Sequence, residues 1–277
     1  MKNIIIFIMV CMMTNICVGQ NNTKEELREK VTNLADSLSE EGKDAMYSIL
    51  ETMALIVVDS AVNEGRYMQA LELMDSLKIN WKYITGKDLP PRIYLTKSNI
   101  LMHLEEWEEL IKNVEECLTI YEDSLDDKIA AIMSDMSGTA HRSIEKYRTA
   151  INIYEKTLYY YKKTGEIGNQ GNTLCNIAFC YSKLNKHTMA SSYYKKGMDK
   201  FLEYFGTTRH ILLRSNFNVE SQRKKALLAV FACHLYDIAV YEQDNGNRLD
   251  SKDYLLMSAH CGNAVAKSEY KRIYGYR

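Results

Sequence analysis

The chain has 277 residues, of which 46% are hydrophobic and 26% charged, a balance typical of a folded protein with a sizeable core. Its 35 Lys and Arg residues nearly cancel its 36 Asp and Glu residues, and the net charge of -1 argues against intrinsic disorder and against nucleic-acid binding through a strong positive field. Only two prolines and 13 glycines are present, too few for a β-sandwich or barrel with many tight turns.

The first 19 residues have the pattern of a secretory signal peptide. Lys2 is the only charged residue in this stretch, residues 4–10 form an apolar run, and small residues surround a cleavage position after Gly19. A membrane anchor is the alternative, but polar residues 14–15 interrupt a run that is short for a span. We therefore expect an exported protein, periplasmic, cell-surface or secreted, with no transmembrane segment after signal cleavage.

Five cysteines remain after the predicted cleavage, an odd number that cannot all pair within one chain. No CxxC motif occurs, so the spacing supports neither a zinc site nor a redox site. We predict that these side chains are small buried apolar groups on helices, and we expect no metal and no cofactor. A disulfide bridge is the alternative, and the spacing does not place one. The five are Cys117, Cys175, Cys180, Cys233 and Cys261.

Helical periodicity begins at Thr23, where a capping box precedes apolar residues at steps of four, three and four. This pattern predicts an N-terminal capping helix within residues 20–43. The two prolines, Pro90 and Pro91, stand together before an apolar run, as expected at the start of a helix. No convincing stretch alternates with period two, so we expect an all-α fold.

Self-comparison of residues 44–205 reveals a period of forty residues. Compact or apolar residues recur in register at Ala70, Leu110, Ala150 and Ala190. Three residues before each of these stands a flat ring: Tyr67, Trp107, Tyr147 and His187. Twelve residues before each stands a small or compact residue: Val58, Ser98, Gly138 and Ala178. The pattern therefore predicts a helix, a short turn and a second helix in each unit.

These units resemble the tetratricopeptide repeat (TPR), which pairs antiparallel helices around a small crossing residue. The unit with Ala178, Tyr181, Ala190 and Tyr194 matches the family pattern best, and the Leu110 unit matches least. The family's usual period of about 34 residues is shorter than this one, which suggests longer helices here. The resemblance implies a right-handed solenoid of helix hairpins, a TPR-like superhelix. The repeat-packing positions that it implies are Tyr67, Ala70, Trp107, Leu110, Gly138, Tyr147, Ala150, Tyr154, Ala178, Tyr181, Ala190 and Tyr194.

Beyond the four repeats, the sequence pattern predicts a connection at residues 206–221. A fifth hairpin with a C-terminal capping helix is predicted at residues 222–277. A strongly apolar segment, a turn signal at residues 245–247 and a second helical segment support this hairpin. Its offset of 61 residues from Ala190 leaves its register ambiguous, and Ser251 is the best crossing residue.

The resemblance also implies a concave groove lined by the first helix of each hairpin. Such grooves bind extended peptides or helices, so we expect a non-catalytic scaffold that binds a protein or peptide partner. The family's groove positions fall on Arg92, Asn99, His103, Arg142, Asn172, Phe179 and Lys183. The three cations among them could meet carboxylates, with the asparagines as hydrogen-bond partners. The alternative is that they are ordinary solvated charges.

No catalytic motif emerges from the rest of the sequence. There is no HExxH, GxSxG, P-loop or GxGxxG, so we expect no enzyme and no nucleic-acid partner. Two other functions remain open. The chain could be a ligand-capture or assembly subunit for envelope glycan or nutrient uptake, or an enzyme with a site outside the repeats.

Overall fold

The computed structural model of the chain describes residue 29, residues 31–122 and residues 124–275. Helices contain 82% of these described residues, and no strand occurs among them. The all-α prediction is therefore confirmed. The predicted signal peptide lies outside the described residues, as do residues 20–28 and 30 of the predicted capping helix. Of the rest of that segment, residues 29 and 31–36 are helical, and residues 40–43 already belong to the next helix.

Twelve helices with defined ends follow residue 39 among the described residues, and most of them pack against a neighbour in chain order. The chain divides into two compact units, one ending at Ile129 and the other beginning at Ala130. The helices are α1 (Glu40–Asn63), α2 (Tyr67–Thr85), α3 (Pro91–His103), α4 (Trp107–Ile120), α5 (Asp127–Ser143), α6 (Tyr147–Lys163), α7 (Ile167–Lys183), α8 (His187–Phe205), α9 (Arg209–Arg214), α10 (Gln222–Asp244), α11 (Arg248–His260) and α12 (Ala264–Tyr274).

The hairpin turns repeat one geometry every forty residues. In each turn a left-handed residue, with φ between 57° and 73°, stands two positions before the next helix: Gly65, Glu105, Glu145 and Asn185. The backbone N–H of the residue that follows it donates to the carbonyl five residues earlier, as Lys146 does to His141 at 2.8 Å. These bonds satisfy helix-end carbonyls that otherwise lack partners. The forty-residue period is therefore built into the backbone as well as the core.

The four predicted crossing residues, Ala70, Leu110, Ala150 and Ala190, are all fully buried. Of the predicted rings, Tyr154 and Tyr194 are buried, whereas Tyr67, Trp107, Tyr147 and Tyr181 are partly exposed. The remaining packing positions, Gly138 and Ala178, are buried as well. Compact residues therefore lie inside the hairpins, and most of the rings cover their edges.

Within the first unit, polar bonds supplement the apolar core. Asn113 on α4 donates to the carbonyl of Tyr94 and to the hydroxyl of Ser98 on α3, both at 2.9 Å. Lys97 occupies a position on α3 where the repeat favours an apolar residue. Its ammonium group lies 2.6 Å from Oδ1 of Asp75 on α2. The charge is therefore paired, although most of the aliphatic part of the side chain is buried.

Helix α1 is the one described helix that is long and apolar enough, by length and composition alone, to cross a membrane. It buries Leu50, Ala54 and Val58 in the core of the first unit, where it packs against α2 and α3. Core helices of soluble proteins meet the same criterion. The absence of a transmembrane segment after signal cleavage therefore stays a prediction.

In the second unit, α7 and α8 approach each other through two glycines. A Cβ atom placed on Gly197 would lie 3.0 Å from the carbonyl oxygen of Gly171 and 2.5 Å from Sγ of Cys175. Such distances are shorter than van der Waals contact, so only glycine permits this approach. The same principle operates between α5 and α6, where a Cβ on Gly138 would meet the ring of Tyr154 at 2.6 Å.

The C-terminal part of the second unit has a core rich in rings. Phe201 on α8 stacks on Phe231 of α10, with centroids 4.6 Å apart. The short helix α9 interrupts the predicted connection and buries Leu212 in the same cluster. In the last hairpin Ser251 is buried as the predicted crossing residue, and Ser258 donates to the carbonyl of Ala232 at 2.6 Å.

Gly197→Ala tests the close approach of α7 and α8. Alanine in a helix interior normally stabilises a protein by roughly 0.5–1 kcal/mol relative to glycine. Here the added methyl group meets backbone atoms, so we expect a loss of roughly 1–3 kcal/mol in the free energy of unfolding, measured by urea denaturation. Gly168→Ala is the matched control on α7, because its nearest obstacle is the flexible end of Leu227. An equal or greater stability of Gly197→Ala would contradict the packing described.

Candidate functional site

Three of the predicted groove residues meet around one aromatic ring in the second unit. Phe179 on α7 is partly exposed, and the guanidinium carbon of Arg142 lies 5.3 Å from its ring centroid. The ammonium nitrogen of Lys183 lies 5.2 Å from the same centroid. Nη1 of Arg142 also donates to Oδ1 of Asn176 at 2.8 Å, which fixes the arginine of α5 against α7. The result is a cationic, aromatic surface that is already ordered.

Asn172, the fourth predicted groove residue in this unit, connects three helices. Its Nδ2 donates to Oδ2 of Asp135 on α5 at 3.5 Å, and its Oδ1 accepts from Nε2 of His234 on α10 at 2.9 Å. This amide orientation requires the proton of a neutral His234 to be on Nε2. Nδ1 of His234 then lies 3.8 Å from Oδ2 of Asp237, without a hydrogen-bond partner.

These contacts form a continuous polar strip across the second unit. We define the polar strip as Asp135 and Arg142 of α5, Asn172 and Asn176 of α7, and His234 and Asp237 of α10. On α7, Asn172 and Asn176 continue into Phe179 and Lys183 at steps of four, three and four, so the four side chains share one helix face. Direct contacts between α7 and α10 place the two helices side by side. The strip therefore crosses the helices from one side chain to the next.

The environment of Asp135 disfavours ionisation of its carboxyl group. Burial raises the pKa of Asp135 to about 6, although the positive charge of Arg142 and a hydrogen bond from Thr173 oppose the shift. The hydroxyl of Thr173 lies 3.4 Å from Oδ1 of Asp135, and Nδ2 of Asn172 donates to Oδ2. Both carboxylate oxygens thus have donors within the fold, which suits a structural bridge between α5 and α7.

An open pocket of about 490 Å³ lies between α7 and α10, next to the strip. We call it the α7–α10 pocket. Rings dominate its wall, contributed by Phe179, His187, Tyr194, Tyr236 and Tyr241. Its charged residues are Lys183, Asp237 and Asp244. The volume lies within the range of known small-ligand pockets.

The other three predicted groove residues belong to the first unit. Nε of Arg92 lies 3.9 Å from Oε1 of Glu51 on α1, and Asn99 is exposed. The ring of His103 stacks on Tyr67, with centroids 4.9 Å apart and an angle of 24° between the planes. His103 therefore contributes to packing at the edge of its hairpin.

Cysteine chemistry and metal binding find little support in the described residues. All five predicted mature cysteines are free thiols; Cys233 is exposed and the other four are buried. Burial raises the pKa of Cys233, which disfavours the reactive thiolate. No group of three or more His, Cys, Asp or Glu side chains that could hold a metal ion occurs in the part of the chain that the structure describes.

Comparison with known proteins bears on the fold. No family model matches the chain, and no curated protein matches it. Among solved structures, the crystal structure of aspartyl phosphate phosphatase F from Bacillus subtilis is similar, with a TM-score of 0.50 and 12% sequence identity. The similarity covers 91% of this chain and 74% of that one. That structure is a TPR-like helical repeat, and at this identity the likeness shows the fold alone. The present chain therefore has a TPR-like fold.

Asp135→Asn tests the buried carboxylate through the pH dependence of stability. Ionisation is harder in the folded chain, with a pKa of about 6, than at the ordinary value of 3.8. The folded state therefore holds more protons between these values, and stability falls as pH rises through this window, by about 2–3 kcal/mol for this group. We expect Asp135→Asn to gain that amount relative to wild type between pH 4 and pH 7, measured by urea denaturation.

The matched control is Asp199→Asn, which changes an exposed aspartate on α8. Its pH profile should run parallel to that of the wild-type chain. A parallel profile for Asp135→Asn would show that Asp135 ionises in the fold as readily as in water.

Proposed function

We propose that this chain is a non-catalytic TPR-like scaffold that binds a protein or peptide partner in the cell envelope or outside the cell. The observation that carries the proposal is the ordered, accessible surface around Phe179, which lies beside the polar strip. Arg142 and Lys183 offer donors for the carbonyl and carboxylate groups of a peptide.

Preorganisation supports a binding role for this surface. The contact between Arg142 and Asn176 and the bonds of Asn172 to Asp135 and His234 hold these side chains in place before any partner arrives. A partner that docks here loses less free energy to side-chain ordering than it would on a surface of free arginines and lysines. Lys183 is exposed, and its ammonium group over the ring of Phe179 can also pair with an acidic group of the partner.

A non-catalytic role fits the way in which the polar groups are used. The carboxylate of Asp135 accepts from Thr173 and Asn172, and the imidazole of His234 donates to Asn172. These groups bond to each other across helices, so they tie the scaffold together. The phosphatase activity in the name of the similar structure belongs to that protein, because the likeness extends to the fold alone.

Site-specific photo-crosslinking tests the proposed binding surface. A benzophenone side chain at position 183 should form a discrete crosslink to a partner in the native cell, whereas the same group at exposed Lys195 of α8 should not. Arg142→Glu should abolish the crosslink at position 183, because it reverses the charge beside Phe179. Crosslinks of equal yield at positions 183 and 195 would show that the surface around Phe179 is not the binding surface. A crosslink at position 183 that Arg142→Glu leaves unchanged would show the same.

Export can be tested separately from binding. The full chain should appear in the envelope or the medium as a mature form that starts at Gln20, identified by mass spectrometry of its N-terminus. A chain without residues 1–19 should stay in the cytoplasm, because the export signal is missing. Retention of the full chain with an intact N-terminus would refute the exported location and leave the binding proposal standing.

A further inference from the structure

The α7–α10 pocket has rings that the fold holds in fixed positions. The hydroxyl of Tyr241 donates to the carbonyl of His187 at 2.9 Å, and its ring lies 5.4 Å from that of the buried Tyr194. The hydroxyl of Tyr236 donates to Glu269 at 2.8 Å. Because both phenols are anchored, the aromatic wall exists before a ligand enters. Anchored ring faces attract cations through their quadrupole.

The acids of the pocket lack a strong cationic partner. Asp237 and Asp244 are seven residues apart on α10, which places both on the same helix face. Among the described residues, the only basic side chain within ion-pair distance of Asp237 is His234, whose Nδ1 lies 3.8 Å from Oδ2. Asp244 forms no ion pair with a described lysine or arginine. Lys183, the one lysine of the wall, lies over Phe179, so two carboxylates face one ammonium group already engaged by a ring.

His234, which faces the pocket residue Asp237, has a buried nitrogen without a partner. Its side chain is buried, with 5% exposed, and its Nδ1 is without a hydrogen-bond partner while it faces Asp237. Buried polar atoms are normally paired, because an unpaired one costs free energy. A cation that binds Asp237 would also supply hydrogen-bond donors beside this nitrogen.

We propose that the α7–α10 pocket binds a lysine or arginine side chain of the partner, with Asp237 and Asp244 as counter-charges and Tyr194, Tyr236 and Tyr241 as the aromatic wall. This inference rests on the proposed function and specifies the chemistry that its partner presents. The positive surface around Phe179 and the acidic pocket beside it then recognise a segment that carries an acidic group next to a basic residue. Opposite charges in adjacent subsites fix the register of such a segment.

Asparagines at the pocket mouth suit the backbone of the same segment. Nδ2 of Asn245 donates to the carbonyl of Tyr241 at 2.7 Å. The amide oxygen of this exposed residue can accept from a peptide N–H. Asn185 stands at the opposite turn, between α7 and α8. The volume of about 490 Å³ accommodates a long side chain together with adjoining backbone.

A selection from a random seven-residue peptide library on the purified full chain tests this inference. Peptides enriched on wild type should share a lysine or arginine at one position. The peptide with the greatest enrichment is then synthesised with that residue intact and with a neutral counterpart, citrulline for arginine or norleucine for lysine. Kd values are measured for wild type, for Asp237→Asn/Asp244→Asn and for the control Asp199→Asn.

We expect the neutral peptide to bind wild type about tenfold more weakly, as for loss of one charge-assisted contact. The double variant should bind the intact peptide about tenfold more weakly, and the neutral peptide should suffer no further loss on it, since both changes remove the same contact. Asp199→Asn should behave as wild type. Asp244→Asn alone, which changes a residue at the exposed end of α10, should give part of the effect if the double variant unfolds.

The possible failures separate the two proposals. Enriched peptides without a shared basic residue, or a basic residue whose effect is independent of Asp237 and Asp244, would overturn the pocket assignment while a peptide-binding scaffold stands. Enrichment of no peptide at all would overturn both proposals.

Discussion

Close contact between helix backbones is the constraint on which the rest of this structure depends. Fully buried alanines close three of the hairpins, and Gly171 and Gly197 bring α7 and α8 to a distance that excludes even a methyl group. Short separations between neighbouring helices let short polar side chains reach across. Asn172 has only two carbons beyond its backbone, yet it touches Asp135 on one side and His234 on the other. The polar strip therefore depends on α5, α7 and α10 lying within reach of these short side chains.

Helix α7 combines two tasks through the geometry of its faces. Gly171 and Cys175 form the face that packs on α8, and the next residue after each, Asn172 and Asn176, starts the face that carries the strip. Successive helical residues point about 100° apart, so neighbours in sequence serve the core and the accessible surface without conflict. A substitution that shifts the core of α7 would therefore also move the residues of the candidate site.

The sequence predicted the architecture well because a forty-residue period repeats the same local requirements. Buried crossing residues, rings and turns mark every unit, and the structure places the starts of the second helices forty residues apart. Only part of the candidate site could be predicted from the sequence. The stripe on α7 follows helical spacing, but His234 and Asp237 lie after the irregular connection, where the register no longer applies. Lys97 illustrates the same limit, since its pairing with Asp75 is a tertiary contact that the local pattern does not contain.

The left-handed turns also bear on how such a chain can grow. Gly165, between α6 and α7, has φ of 71° and the same backbone bond as the hairpin turns, from Glu166 to the carbonyl of Tyr161. Left-handed residues thus stand at 145, 165 and 185, with one helix between each position and the next. A gene segment that encodes residues 145–184 begins and ends at equivalent points of the backbone. Its duplication would join one turn to an identical one, so this array can lengthen by tandem copying with no new loop to evolve.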